Sequence, residues 1–271
     1  MTQDPKEIAA LTAALDQFQM NLFDLTGKVA IVTGGNTGLG QAFAVALATA
    51  GADIFIPAHH DKGFEATRAL IEKRGRQVKF SLADLTAPGA ADTVIESALA
   101  AYGHIDILVN NAGMIRRNPL LQSKAADWQA VIDINLNAVY ALSLAAAKIF
   151  AKQHSGKIIN IASMLSFQGG KFIPSYTAAK HGVAGLTKAF ASELGADNVQ
   201  VNAIAPGYIK TANTAAIRAD QARNAEILGR IPAGHWAEPH ELMGAMVFLA
   251  SAAANYVNGV ILPVDGGYLV R

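Results

Sequence analysis

Short apolar runs alternate with longer helix-like stretches from residue 28 onward, and this alternation constrains the fold more than any other feature. Strands that alternate with helices predict a parallel sheet covered by helices on both faces. We therefore predict one α/β domain over residues 23–271, with seven parallel strands in a doubly wound sheet. The runs are "KVAIVT" (28–33), "DIFIP" (53–57), "QVKFSL" (77–82), "IDILVN" (105–110), "GKIINIA" (156–162), "VQVNAIA" (199–205) and "VILPVD" (260–265).

Residues 1–22 precede this pattern and are predicted to form an N-terminal extension, mainly helical. Within 5–20 an apolar stripe recurs at helical spacing, either as a packing arm or as a frayed extension. The first 25 residues have no long apolar core, and no run approaches 18 uninterrupted apolar residues, so we expect neither a secretory signal nor a membrane span. A cytoplasmic protein is the expectation. The stripe consists of Ile8, Leu11, Leu15 and Phe18.

The composition excludes several functional classes. Hydrophobic residues make up 52% of the chain and charged residues 16%, a balance typical of a globular protein with a large core. The net charge of +1 argues against nucleic acid or an anionic membrane as partner. The absence of cysteine excludes disulfides and thiolate metal sites and fits a reducing compartment. No metal is expected.

A glycine-rich turn, "VTGGNTGLGQAFAVALATAG" (32–51), follows the first predicted strand and opens the first helix after it. Glycine allows a tight turn and a close approach of the backbone to a ligand. The helix that follows offers unpaired amides and the positive end of its dipole to a phosphate. The turn therefore predicts a dinucleotide site in a Rossmann-like sheet, with the spacing Gly34-x-x-x-Gly38-x-Gly40.

The segment "PSYTAAKHG" (174–182) places Tyr176 and Lys180 four residues apart in an alanine-rich stretch. Residues four apart are neighbours on a helix, and a lysine charge near a phenol lowers its pKa from about 10. Such a tyrosine can give and take a proton near neutral pH. On the pair alone, a surface tyrosine beside a solvated lysine remains the alternative.

Several motifs in a fixed order resemble the short-chain dehydrogenase/reductase family, from about Leu25 to the C-terminus. The resemblance implies a nicotinamide-dependent oxidoreductase on a Rossmann-like fold. The motifs are "TGGNTGLG" at the turn, "ADLT" (83–86), "NNAG" (110–113), "IDINLNAVY" (132–140), "INIASM" (159–164), "YTAAK" and "NAIAPGYIKT" (202–211).

The family resemblance implies a role for each of four residues. Tyr176 would be the acid/base that protonates an alkoxide or deprotonates an alcohol. Lys180 would lower the pKa of Tyr176 and hold the nicotinamide ribose. Ser163 would bind the substrate oxygen and stabilise developing charge. Asn135 would support a water that links Lys180 to solvent.

The resemblance also implies a cofactor site. The second strand ends "IPAHHDKG", with Ala58 where many NAD-using relatives carry Asp, and the glycine turn holds no Arg or Lys. We expect NAD(H) to be favoured, with NADP(H) left open because His59 could accept a 2′-phosphate. The implied contacts are Gly34, Asn36, Thr37, Gly38, Leu39, Gly40, His59, His60, Asp84, Leu85, Asn111, Ala112, Gly113, Tyr176, Lys180, Pro206, Gly207, Ile209 and Thr211.

Longer stretches, among them "IINIASMLSFQGGKFIPSYTAAKHGVAGLTKA" and "VNAIAPGYIKTANTAAIRAD", are similar to the branch of 2-deoxy-gluconate and 2-keto-3-deoxy-gluconate dehydrogenases. This implies a keto sugar acid from alginate or pectin breakdown, such as 4-deoxy-L-erythro-5-hexoseulose uronate. A lid is expected at about 207–232. Gln168 could bind substrate hydroxyls, and an arginine could pair the carboxylate in a bidentate way. The arginine candidates are Arg116, Arg117, Arg218 and Arg223.

Two other functions remain open at this point. One is a reductase of another carbonyl, such as a 3-oxoacyl thioester, for which we would expect an apolar groove in place of "QGG" and nearby arginines. The other is a non-catalytic dinucleotide sensor, which would be free to lose Tyr176, Lys180 or Ser163. A homotetramer is expected, because the segment "VNGVILPVDGGYLVR" and the helix-rich middle resemble the family's assembly surfaces.

Overall fold

A computed structural model describes residues 4–16 and 19–271. Within them, seven strands form one all-parallel sheet in the order β3-β2-β1-β4-β5-β6-β7, which confirms the predicted fold class. The chain reverses its winding direction between β1 and β4, and such a switch point opens a crevice at the carboxyl ends of the strands. The strands are β1 (Val29–Val32), β2 (Asp53–Ala58), β3 (Val78–Leu82), β4 (Ile107–Asn110), β5 (Gly156–Ile161), β6 (Val199–Pro206) and β7 (Ile261–Val264).

Helices cover both faces of the sheet. The interior strands β1, β4 and β6 are buried on both sides, which explains why they read as continuous apolar runs rather than alternating ones, whereas the edge strands β3 and β7 are only partly buried. Successive side chains of β1 point to opposite faces, so Ala30 and Val32 join one core cluster and Val29 and Ile31 join the other. The helices are α1 (Pro5–Asp16), α2 (Gly38–Thr49), α3 (Phe64–Glu72), α4 (Ala90–Tyr102), α5 (Ala125–Ile132), α6 (Ala138–Gln153), α7 (Pro174–Leu194), α8 (Ala215–Ala219), α9 (Gln221–Leu228) and α10 (Met243–Ala250).

The two cores are built by different helices. Phe43 and Leu47 of α2 pack with Met246 and Leu249 of α10 on one face. On the other face, α4 and α6 pack with the C-terminal part of α7. The opposite, N-terminal part of α7, with Tyr176 and Lys180, is thereby held at the carboxyl end of the sheet.

A π turn, Asp133–Asn137, joins α5 to α6 in one continuous helical run over Ala125–Gln153. By length and composition alone this run could cross a membrane, but half of its most apolar window is buried inside the fold. Buried helices of globular proteins pass the same test. The π turn carries Asn135 into the interior.

The N-terminal extension contributes α1, whose apolar side chains Ile8, Leu11 and Leu15 are exposed. Phe18, the fourth member of the predicted stripe, lies outside the described residues. The choice between a packing arm and a frayed extension therefore stays open for this segment.

Candidate active site

The carboxyl ends of the strands open into a large cleft of about 1450 Å³. Loops after β1 to β6 all contribute to it, as the doubly wound topology requires. Every residue predicted to contact a cofactor lines this cleft, and so do the four predicted catalytic residues and Gln168. Residues that are far apart in sequence, from Gly34 to Tyr268, are thus brought to one place.

The glycine turn forms a cradle that fits a dinucleotide. A Cβ on Gly40 would lie 2.3 Å from the Gly34 carbonyl oxygen and 2.4 Å from Asn111 Nδ2, so only glycine fits there. Gly38 has φ of +56° and opens to free space at the N-terminus of α2. Thr37 precedes this helix, and its side chain makes no capping hydrogen bond within the described chain. The amides of the first turn are therefore available to a phosphate.

The "NNAG" segment closes the cleft at the switch point. Asn111 Nδ2 donates to the Thr33 carbonyl at 2.8 Å, and its main-chain N–H donates to Thr33 Oγ1 at 2.9 Å. These bonds join the ends of β1 and β4. A Cβ on Gly113 would lie 2.5 Å from Asn135 Oδ1, so glycine is required for the close approach of these two segments.

Two predicted cofactor contacts are engaged in local structure. Asn36 is buried, and its Nδ2 donates to the main-chain carbonyls of His60 and Lys62, each at 2.9 Å. Its side chain therefore fixes the loop after β2. The Asp84 carboxylate accepts two bonds from Thr86, which are the main reason that the pKa of Asp84 is lowered. Direct cofactor contacts of these two side chains would have to coexist with those bonds.

Lys180 and Tyr176 lie side by side on α7, as the spacing predicts. Lys180 is only 4% exposed, and its Nζ donates to the Ile161 carbonyl at 2.5 Å. The same Nζ lies 5.4 Å from the centroid of the Tyr176 ring. Ser163 follows β5, and its Oγ accepts a bond from the Leu165 N–H at 3.1 Å, which orients the hydroxyl.

The ionisation of this pair differs from the expectation that Lys180 lowers the pKa of Tyr176. Burial raises the pKa of Tyr176 to about 12, against the opposing influence of Ser163 and of the Arg117 charge. Burial also lowers the pKa of Lys180 to about 8. The physical reason is shared: both groups leave water, so each neutral form is favoured over the charged one.

Asn135 is fully buried in the π turn. Its Nδ2 donates to the carbonyls of Met114 at 2.8 Å and Val131 at 2.9 Å, which ties the loop after β4 to the helical run. Its Oδ1 is buried and has no hydrogen-bond partner among the described residues. A buried acceptor of this kind is suited to a water or a ligand donor.

The structure separates the arginine candidates. Arg117 and Arg223 line the cleft, whereas Arg116 and Arg218 are not among its lining residues, so the roles of these two as substrate contacts stay predictions. The Nε of Arg116 lies 3.9 Å from the Asp127 carboxylate on α5. Arg218 turns back toward its own loop and donates to the Thr211 carbonyl at 3.3 Å.

Several charged residues of the cleft escaped the sequence analysis. Lys171 precedes α7, and Arg230 follows α9 with its guanidinium 4.3 Å above the ring of Tyr268. Arg230 falls within the predicted lid, but nothing in its local sequence distinguishes it from a surface residue. We call the charged part of the cleft the outer cleft: Arg117, Lys171, Asp220, Arg223, Glu226 and Arg230.

The predicted lid contains α8 and α9 and rests on an aromatic cluster. The ring of Tyr208 lies 4.9 Å from that of Trp236 and 5.2 Å from that of Tyr268. Trp236 Nε1 donates to Asn224 Oδ1 of α9 at 2.7 Å, which orients the lid helix over the cleft. Tyr268 belongs to the C-terminal segment, which the sequence analysis assigned to assembly rather than to the cleft.

Known proteins share this fold and these motifs. A family model described as enoyl-(acyl carrier protein) reductase matches residues 33–269. A protein of Escherichia coli (strain K12) named 2-dehydro-3-deoxy-D-gluconate 5-dehydrogenase is 51% identical over 255 residues, which cover 93% of this chain and 99% of that protein. A protein of Bacillus subtilis (strain 168) with the same name is 51% identical, covering 92% and 97% of the two chains.

Solved structures of named sugar-acid dehydrogenases are also similar to this chain. A provisionally named 2-deoxy-D-gluconate 3-dehydrogenase from Agrobacterium tumefaciens, solved with bound NADP, is 52% identical with a TM-score of 0.87, and the match covers 93% of this chain and all of that one. A gluconate 5-dehydrogenase from Burkholderia cenocepacia J2315, solved with NADP and tartrate, is 36% identical with a TM-score of 0.88 and coverage of 93% and 98%. With the shared fold, the glycine cradle and the Ser–Tyr–Lys group in one cleft, this chain belongs to the short-chain dehydrogenase/reductase family.

Proposed function

We propose that this protein transfers a hydride between a nicotinamide cofactor and the carbonyl or hydroxyl carbon of a small keto sugar acid. The first candidate is 2-keto-3-deoxy-gluconate, and the second is 4-deoxy-L-erythro-5-hexoseulose uronate. The observation that carries the proposal is the position of Arg117 and Arg223 in the same cleft as Ser163 and Tyr176. The names of the relatives support the same class of substrate.

In this proposal Tyr176 moves the proton. A bound nicotinamide supplies or accepts the hydride, which is the chemistry that the protein itself lacks. When a ketone is reduced, the Tyr176 hydroxyl gives its proton to the carbonyl oxygen, and when an alcohol is oxidised, the phenolate takes the hydroxyl proton. Ser163 Oγ donates to the same substrate oxygen and stabilises its developing negative charge.

Lys180 and Asn135 support that proton transfer. The Lys180 ammonium, held beside the Tyr176 ring, stabilises the phenolate whenever the proton leaves. Because the pKa of Lys180 is lowered to about 8, this side chain can itself gain and lose a proton at ordinary pH. The buried Oδ1 of Asn135 is suited to a water that would complete the route to solvent.

The outer cleft supplies the partner for the acid group. Arg117 stands near enough to Tyr176 for its charge to oppose the raised pKa of the phenol. Arg223 lies on α9, in the lid. In 2-keto-3-deoxy-gluconate the carboxylate and the 5-hydroxyl lie near opposite ends of the carbon chain, so the residue that holds the acid should differ from those that hold the reacting oxygen. The Arg223 guanidinium on the lid is suited to hold the acid, because it is separate from Ser163 and Tyr176, which hold the reacting oxygen.

We propose that the cofactor site accepts both NAD(H) and NADP(H). The missing Arg and Lys in the glycine turn favour NAD(H), as the sequence analysis expects. Two observations favour NADP(H): similar structures were solved with NADP, and β2 ends in Ala58 rather than a carboxylate. His59 and His60 are exposed at this rim of the cleft, and imidazole N–H groups there are suited to donate to a 2′-phosphate.

Reduction of an acyl thioester is the second candidate, because the matching family model is described as enoyl-(acyl carrier protein) reductase. An acyl chain would favour an apolar groove. The outer cleft instead presents four cations, Arg117, Lys171, Arg223 and Arg230, against two acids, Asp220 and Glu226, and this positive balance is better matched to a small acid. We therefore rank the thioester below the sugar acid.

We also propose a cytoplasmic homotetramer. Support comes from large apolar side chains that remain exposed on the single chain, among them Tyr140 and Leu144 on α6 and Leu121 in the loop before α5. Exposed apolar side chains that cluster on a surface are typical of an assembly interface. Light scattering of the purified protein measures the molecular mass, and a stable monomer would remove this proposal.

The decisive experiment is a substrate panel. The purified protein is mixed with NADH or NADPH and with 2-keto-3-deoxy-gluconate, the uronate, a neutral hydroxyketone and a 3-oxoacyl thioester, and loss of reduced nicotinamide absorbance is followed. Oxidised cofactors with the same acids test the reverse direction. We expect the highest kcat/KM with one of the two sugar acids. Faster turnover of the thioester than of either acid would overturn the proposal.

A further inference from the structure

An ion pair on the lid has both of its ends in the outer cleft. Arg223 Nη1 binds Glu226 Oε2 one turn further along α9, and both side chains line the cleft. The side chains are 35% and 53% exposed, so neither is locked in place by packing. The Arg223 guanidinium, one of three arginines in the cleft, therefore already holds a carboxylate from its own helix.

The surroundings of Glu226 are those that an anionic ligand would meet. Lys171, on the loop before α7, and Arg230, after α9, add positive charge, and they lower the pKa of Glu226 further after the larger influence of Arg223. Asp220 is the other acid within the predicted lid, but its carboxylate caps α9 by accepting from the Arg223 N–H at 3.1 Å. Glu226 thus occupies the position among these cations that a substrate carboxylate would need.

We propose that Glu226 is a specificity-determining residue that competes with the substrate carboxylate for Arg223. The inference rests on the proposed function, since it requires an acidic substrate. An acid that enters the outer cleft displaces Glu226 from Arg223 and gains a charge-assisted pair in exchange. A neutral carbonyl compound cannot make this exchange, so the pair stays closed and the compound gains nothing from Arg223.

The effect of the Glu226–Arg223 pair on KM for the acid should be modest but measurable. Exposed ion pairs contribute little, and their loss changes an equilibrium by roughly two- to fivefold. The substitution Glu226→Gln keeps the shape of the side chain and removes its charge. With saturating cofactor, we expect it to lower KM for 2-keto-3-deoxy-gluconate by about two- to fivefold, with kcat and the KM of a neutral hydroxyketone unchanged.

A matched control is available on α3, where Arg68 and Glu65 form another pair with the same spacing. Glu65 does not line the cleft in the part of the chain that the structure describes. Glu65→Gln removes an equivalent exposed pair and should leave both KM values unchanged. Thermal unfolding of both variants checks that each remains folded.

A double variant separates competition for Arg223 from a general charge effect. In an Arg223→Ala background, Glu226→Gln should no longer change KM for the acid. A persistent effect there would mean that Glu226 acts through its field alone and would overturn the proposal. An unchanged or raised KM in the single variant would overturn it as well. If the wild-type protein turns over no sugar acid, both this inference and the proposed function fail. If it turns over a sugar acid but Glu226→Gln does not change the KM for that acid, only this inference fails.

Discussion

The Lys180 ammonium donates a hydrogen bond to the main-chain carbonyl of Ile161, with 2.5 Å between nitrogen and oxygen. Ile161 ends β5 and Lys180 lies in the second turn of α7, so this bond ties the helix that carries Tyr176 to the carboxyl end of an interior strand. It also fixes a cation in the interior, where burial lowers its pKa to about 8. The burial of Lys180 against the end of β5 therefore both fixes the position of its ammonium and lowers its pKa.

The first prediction concerns stability and pH. The pKa of Lys180 falls from an ordinary value of 10.5 to about 8 in the folded protein, so between these values the unfolded chain binds more protons. The free energy of unfolding therefore rises with pH across this window and falls as pH drops through it. Relative to Lys180→Met, we expect the wild type to gain about 1–3 kcal/mol between pH 8 and pH 10.

Urea unfolding of the two proteins at several pH values measures this difference. Lys157, whose pKa burial also lowers to about 8, is present in both proteins and cancels in the comparison. Parallel curves for wild type and variant across the window would show that Lys180 is not desolvated as described.

The second prediction concerns proton transfer. Tyr176→Phe removes the hydroxyl but keeps the ring, so turnover should fall by roughly 10²–10⁴-fold. The dissociation constant of the cofactor, measured by fluorescence titration, should change little. Tyr256→Phe is the control, because Tyr256 is exposed and does not line the cleft. Near-normal turnover of Tyr176→Phe would remove this tyrosine from the mechanism.

The third prediction concerns the cofactor. If the imidazole N–H groups of His59 and His60 bind a 2′-phosphate, replacing both by alanine should lower kcat/KM with NADPH by about tenfold and leave NADH almost unaffected. Steady-state kinetics with both cofactors measure the effect. His104→Ala is the control, since His104 lies away from the cleft and bonds the Gly27 carbonyl. Equal losses with both cofactors would contradict the assignment.

The fourth prediction concerns the acid group of the substrate. Replacing Arg117 or Arg223 by alanine should lower the ratio of kcat/KM for the sugar acid to that for a neutral hydroxyketone, with a cost of about 2–5 kcal/mol if the pair becomes buried. Arg116→Ala and Arg218→Ala are matched controls, because neither arginine is among the residues that line the cleft. A ratio that changes only in the two controls would reverse the assignment.

The fifth prediction concerns the N-terminal extension. Because the apolar side chains of α1 are exposed, removal of residues 1–18 should leave kcat/KM and the unfolding midpoint nearly unchanged. Circular dichroism and activity assays test this directly. A large loss of stability would show that the extension packs against the domain or against another copy.

The fold was predictable because parallel strands covered on both faces need continuous apolar runs. The proximity of Tyr176 and Lys180 could also be predicted from the sequence, since helical spacing alone makes the two side chains neighbours. The pKa values of the two groups could not be predicted in this way. It depends on the depth of burial, which raises the pKa of Tyr176 to about 12 against the expectation from charge alone.

The sequence also did not predict the direction in which long polar side chains point. Arg116 and Arg117 are adjacent, yet one approaches Asp127 and the other lines the cleft. Asn36 falls in the glycine turn, but its amide holds the loop after β2 rather than standing free for a ligand. Such choices depend on tertiary partners from distant parts of the chain, which a local pattern does not specify.

The π turn at Asp133–Asn137 has a consequence for how this protein can vary. A π turn closes its hydrogen bond over five residues where an α turn uses four, so the run holds one extra residue while α5 and α6 keep nearly the phase of a regular helix. Deleting one residue from the turn would therefore restore a regular helix and leave Phe150 and Leu142 of α6 in the core. What would be lost is the widened turn that carries Asn135 into the interior. The length of this segment is therefore a constraint on the position of one polar side chain rather than on the packing of the core.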